Sequence, residues 1–155
     1  MTHDAMWLLH CLRKTGIETT NKINKAASAG LGRIEAKRFK KLLGIDEIRT
    51  TDDLKNYIQL IFHVVKAEFM NFTYKFINDN EMQCEMRDCF AHDGIKRIGF
   101  IDQYQCGIFE RVDGWFKGLG LKFEATPQID GCLMHQGKKC IKKYTFLRWQ
   151  TSNKR

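Results

Sequence analysis

Near residue 70 the apolar pattern of this 155-residue chain changes its period, and no single class of secondary structure satisfies both halves. Before that point Leu54, Tyr57, Ile58, Ile61, Val65 and Phe69 recur at the three-to-four-residue spacing of one helical face. After it, Met70, Phe72, Tyr74 and Phe76 alternate with Asn71, Thr73 and Lys75, the two-residue period of a strand with one buried side. A second alternating run, Met82, Cys84 and Met86 against Gln83, Glu85 and Arg87, follows Asn78-Asp79-Asn80, so the two runs are expected to form a hairpin. Its register follows from the faces. A three-residue loop pairs Ile77 with Glu81, and hence Phe76 with Met82, Tyr74 with Cys84 and Phe72 with Met86; a two-residue loop would set apolar side chains against polar ones. Cys84 is therefore expected in the core.

The remaining elements are read from the same periodicities and from helix-end chemistry. Ala5 to Arg13 reads as a short apolar-rich turn or helix closed near Gly16, Glu18 to Ala29 as a weaker helix ended by Gly30, and Leu31 to Leu43 as a further one that stops at Gly44. Thr50 or Thr51 caps the next helix, whose first turn holds Asp52 and Asp53 where the positive dipole end favours carboxylates. Cys89 to Ile95 is predicted as a short helix or loop and Lys96 to Asp102 as a connection. A second long helix follows from Gln103 to Gly118, with Tyr104, Ile108, Val112, Trp115 and Phe116 at helical spacing. Leu121, Phe123 and Ala125 alternate as a third strand that Pro127 ends, and Ile141 to Trp149 reads as a fourth. The expected fold class is α+β, with N-terminal helices and a second long helix packed on an antiparallel sheet of about four strands. With no repeat or linker, residues 1–155 are expected to form a single domain, mainly helical over 1–69 and hairpin, helix and two strands over 70–149.

Composition narrows the functional classes. There is no uncharged apolar run of about 18 residues, and the start lacks a basic n-region and a small-residue cleavage site, so a cytoplasmic protein with no membrane span is expected. Its six cysteines are then expected to be reduced, each a core filler, a metal ligand or a nucleophile. The balance of 26 Lys and Arg against 18 Asp and Glu gives a net charge of +8, which admits an anionic partner. However, Arg33, Lys37, Arg38, Lys40 and Lys41 mostly lie opposite an apolar stripe of Leu31, Ile34, Phe39 and Leu42, as on a solvated helix face. No recognised docking module accompanies the charge, so nucleic acid is not the expected partner. His63 lies off the apolar stripe of its helix and is read as structural or solvated, not as a ligand.

Three thiols suggest a site. Cys106 falls in the predicted first turn of the second long helix, where free amides and the dipole favour a thiolate, and Gly137 permits a tight turn that returns Cys132 towards Cys140. Cys106, then Gly114-Trp-Phe-Lys-Gly118, a strand, and Cys132-x4-Gly137-x2-Cys140 before an aromatic-containing strand resemble the C-terminal half of the 4-vinyl-reductase-like small-molecule-binding domains, over roughly residues 84–149. The Gly-x2-Cys ending is also similar to uncharacterised bacterial families grouped with L-2-amino-thiazoline-4-carboxylic acid hydrolase. The resemblance implies helices on an antiparallel sheet, a pocket between them and, as in several sensor members, a zinc ion near its edge held by Cys106, Cys132 and Cys140. In those members the fourth ligand is a glutamate three residues before the second cysteine, where this chain has Ile129. Asp130, one residue on, is the expected substitute; His135, Cys89 or water could also complete a tetrahedron.

The preferred reading is a cytosolic small-molecule-binding or sensor-like domain, possessing a structural zinc site and a pocket lined by Phe62, Phe72, Tyr74, Phe76, Tyr104, Trp115 and Phe116. Its ligand is expected to be small and apolar or aromatic, and its partner a second copy of the chain. The alternatives are a small hydrolase of a cyclic amide or thiazoline-like substrate, using metal-bound water or Cys106 with His92 or His135, and a basic anion or nucleic-acid binder.

Overall fold

The computed structural model describes residues 2–147, with side chains from residue 5. The described residues form four α-helices and one four-stranded antiparallel sheet, an α+β architecture. Helix α1 spans Thr2–Leu42 and is interrupted at Gly16, whose φ of 77° and ψ of 169° are non-helical, as expected of a break there. Gly30, expected to end a helix, does not: α1 runs through it without interruption.

The reason lies across the structure, in helix α4 (Ile108–Gly118), which packs against α1. A Cβ on Gly32 would overlap the Arg111 carbonyl oxygen, one on Gly114 the Ala29 carbonyl oxygen, and one on Gly118 would lie 2.9 Å from the Arg33 oxygen. The two backbones therefore touch, and small residues on both helices are what permits it. Glu35 of α1 ties the crossing by accepting from the Arg111 guanidinium and from Trp115 Nε1 at 2.8 Å. The crossing also redirects α1. Its inward face carries Gly32 and Ala36, with Phe39 half-buried, whereas Leu31, Ile34 and Leu42 of the expected apolar stripe are exposed, Leu42 by 78%. Arg33, Lys37, Arg38 and Lys41 are solvated, as expected.

Helix α2 (Thr51–Val65) begins at a capping box: Thr50 Oγ1 accepts from Asp53 N at 3.1 Å, and Asp53 Oδ2 accepts from Thr50 N at 2.9 Å. Leu54, Tyr57, Ile58, Ile61 and Phe62 form its buried face. Phe69 does not belong to it. The helix stops at Val65, a turn closes from Met70 N to Ala67 O, and Phe69 is exposed beside Phe90. His63 is exposed, the solvated one of the two states expected for it.

Strands β1 (Asn71–Phe76) and β2 (Glu81–Asp88) form the hairpin in the expected register: Phe72 faces Met86, Tyr74 faces Cys84 and Phe76 faces Met82, with Ile77 N donating to Glu81 O. Cys84 is fully buried, and burial raises its thiol pKa well above the usual range. Cys84→Ser is expected to cost about 1–3 kcal/mol, because it buries a strongly hydrated hydroxyl where the parent buries a weakly polar thiol. Urea titration of the two proteins checks this; a serine variant as stable as the parent would place that side chain outside the core.

Helix α3 (Phe90–Arg97) follows β2, and a 3-10 turn over Ile101–Gln103 precedes α4. The second long helix thus starts at Ile108, not at Gln103: Asn21 of α1 takes the intervening backbone instead, donating to Gln103 O and accepting from Gln105 N. Strands β3 (Phe123–Thr126) and β4 (Cys140–Phe146) complete the sheet in the order β1-β2-β4-β3. Strand β3 starts at Phe123, later than the expected Leu121, and β4 starts at Cys140, one residue earlier than expected, and ends at Phe146; Trp149, the expected end, lies outside the described residues. The core packs the buried faces of α2 and α4 against Met82, Cys84, Met86, Tyr144 and Phe146 of the sheet. Within it Lys142, 6% exposed, donates to both carboxylate oxygens of Asp113 at 3.0 and 2.9 Å, and Tyr144 OH donates to the same carboxylate at 2.7 Å.

Candidate functional site

The sheet register supplies the first two walls of a small site. Because β2 pairs with β4, Met86 near the end of β2 faces Cys140 at the start of β4, and Cys89 follows three residues after Met86 as the N-cap residue of α3. The third wall is the linker before α4. Cys106 N donates to Gly131 O at 3.3 Å, which joins that linker to the loop between β3 and β4. Gly131 and Gly137 take φ values of 78° and 69°, and bonds from Gln136 N to Cys132 O and from Gly137 N to Met134 O fold the loop so that Cys132 turns back beside Cys140.

The result is one closed cavity of about 10 Å³ bordered by four thiols, those of Cys89, Cys106, Cys132 and Cys140. That is room for one water-sized occupant. The rest of the wall is mainly apolar: Met86, Ile108, Phe109, Ile129, Leu133 and Met134, with Tyr104 and His92. Burial pushes the Cys106 thiol up to about 11 although the Ile108 and Phe109 amides at the start of α4 oppose the shift, and it pushes Cys140 up to about 12, helped by the neighbouring thiols. Cys89 is raised by burial too, against hydrogen bonds from the His92 and Ala91 amides. Cys106 thus differs from its expected state. It precedes the helix instead of occupying its first turn, and desolvation outweighs the helix-end amides, so the neutral thiol is favoured.

Of the expected metal ligands, then, Cys106, Cys132 and Cys140 come to one cavity, while Asp130 is exposed and does not border it. Cys89, one of the alternatives to Asp130, does border it, a choice that sequence spacing left open because its partners come from three other segments. Among the described residues no set of three or more His, Cys, Asp or Glu side chains is arranged, as it stands, to hold a metal ion. His92 borders the cavity with Nδ1 bound to Asp93 Oδ1 at 2.8 Å, whereas the His135 ring lies at the surface on Asp102, 2.7 Å away.

The aromatic residues expected to line one pocket divide among four places. Phe62, Phe72 and Tyr74 border an open groove of about 940 Å³ between α2 and the edge strand β1. Phe62 stacks on Phe72 at 4.9 Å and meets Tyr74 at 4.3 Å, and Asn56, Gln59, His63 and Lys66 add polar groups along the helix side. Tyr104 borders the thiol cavity, Trp115 and Phe116 are core residues, and the Phe76 ring lies under Lys55, 5.8 Å away. A single aromatic cage is therefore not present among the described residues. Alternation and helical spacing mark which side chains face inward, but not which of them border empty space.

No helix among the described residues is long and apolar enough to cross a membrane. Comparison with known proteins found no matching family model, no similar curated protein and no similar solved structure.

Proposed function

We propose that this chain is a small-molecule-binding domain braced by one structural zinc ion, with Cys106, Cys132 and Cys140 among its ligands. The observation that carries the reading is the convergence of these thiols, from a linker, a loop and a strand, on one water-sized cavity. Zinc suits such a set because it accepts several thiolates in a tetrahedron and supplies the positive charge that buried thiols need in order to ionise. The three cysteines are also those that the resemblance to the 4-vinyl-reductase-like domains implies. The groove beside β1 supports the binding half: its aromatic wall and its amide, imidazole and ammonium groups fit a small aromatic ligand bearing a polar substituent. A hydrolase reading is favoured less, since a ring substrate needs far more space than about 10 Å³ beside the reacting thiol.

Protein purified without chelator from zinc-supplemented culture is expected to contain one zinc per chain, and stripping the ion with a strong chelator should lower the thermal midpoint. Titration with benzoate, phenol and benzylamine, followed by amide chemical shifts, is expected to move signals along Asn56, Gln59, His63 and Thr73. Metal content well below one equivalent would remove the zinc half of the proposal. Shifts absent at millimolar ligand, or confined to other surfaces, would remove the binding half.

A further inference from the structure

We infer that Cys89 is the fourth ligand of this site, which makes it a closed four-thiolate centre in place of the three-cysteine, one-carboxylate arrangement that the resemblance implies. The inference rests on the zinc reading above and goes beyond it by assigning a residue from a different element of the fold.

The geometry around the cavity narrows the choice of donor. Ile129, at the position where the resembling members carry glutamate, borders the cavity and offers no donor atom, and Asp130 is exposed outside it. Water is an unfavourable fourth ligand: an ion would take the space of about 10 Å³ itself, and the lining is mostly apolar. His92 also lines the cavity, and with Nδ1 on Asp93 its Nε2 is the competing donor, which a nitrogen neighbour in the metal's coordination shell would reveal. Cys89 is buried on the same cavity as the other three thiols, at the junction where β2 passes into α3.

The surrounding backbone suits the charge such a centre acquires. Four thiolates and one divalent zinc leave two negative charges, which need hydrogen-bond donors in an otherwise apolar setting. The Ala91 and His92 amides at the start of α3 serve Cys89, and the Ile108 and Phe109 amides at the start of α4 serve Cys106. Two helix N-termini thus face the two ligands that precede helices, and their amides can donate to the charge that zinc binding would leave on the sulfurs. Loading replaces four S–H bonds by four Zn–S bonds and releases four protons to solvent; no oxidant or reductant takes part. With every coordination position filled by protein, the ion braces the junction of β2, β4 and the α4 linker and leaves no place for substrate.

X-ray absorption on the zinc-loaded chain tests the assignment without any substitution. Four sulfur neighbours at about 2.3 Å are expected. In parallel, Cys89→Ser should weaken zinc by about 100-fold or more in competition with a chelator, while Asp130→Asn leaves affinity unchanged. Three sulfurs with one nitrogen or oxygen in the parent protein, or full affinity in the serine variant, would overturn the role of Cys89 and leave the zinc reading standing. A parent protein that binds no zinc would overturn both.

Discussion

Gly114→Ala is expected to destabilise the chain by about 3 kcal/mol, at the upper end of what overpacking costs, even though alanine is the better helix former. The added methyl would collide with the Ala29 carbonyl oxygen and lie 3.1 Å from the Gly32 Cα and 3.2 Å from the Ala29 carbonyl carbon, all of them backbone atoms. No rotamer change can relieve that, so α1 and α4 must separate and loosen the Glu35 contacts to Arg111 and Trp115. Gly30→Ala provides the control. Its methyl would meet nothing within 4 Å, and the substitution is expected to stabilise by about 0.5–1 kcal/mol through helix propensity. Denaturant midpoints with unchanged slopes measure both. If both variants gained stability, the close approach of the helices would be wrong.

Removing the carboxylate of Asp113 should have an effect of similar size. Asp113→Ala leaves the Lys142 ammonium buried without its counter-charge and strips Tyr144 OH of its acceptor, for an expected loss of about 3–5 kcal/mol. Most of that loss is the penalty of an unpaired buried charge, not the worth of the pair. Adding Lys142→Met in the same chain should therefore recover a large part of it, with the Tyr144 hydroxyl accounting for a remainder of about 1–2 kcal/mol. Thermal or urea unfolding of the four proteins in this cycle reads the coupling; additive effects would show that the two side chains do not depend on each other.

The contrast between these two sites and the hairpin shows what kind of information the chain carries locally. Alternation is binary, so Phe72, Tyr74 and Phe76 admit one register against Met82, Cys84 and Met86, and β1 and β2 pair in that register. Thr50 and Asp53 close a capping box between residues three apart, which is why the start of α2 was legible as well. Glycine carries no such local meaning. The same residue type breaks α1 at Gly16, passes unnoticed at Gly30 and provides the contact surface at Gly32, and only the position of α4 separates the three cases.

The candidate site divides along the same line. Glycine-assisted folding of the last loop, which returns Cys132 towards Cys140, could be read from residues 131–140, because a turn depends on its own few dihedrals. The choice of Cys89 among the candidate fourth ligands, the exclusion of Asp130 and the neutral state favoured for Cys106 could not, because each depends on packing between segments far apart in the chain. What the sequence alone determined was periodic: the element types, the hairpin register, the helix cap and the α+β class, all consequences of interactions among near neighbours. What the tertiary structure alone decided was which faces meet. It turned Leu31, Ile34 and Leu42 outward, separated the aromatic residues, and placed four cysteines around one cavity, since burial and electrostatic environment are properties of the assembled neighbourhood and not of any residue in it.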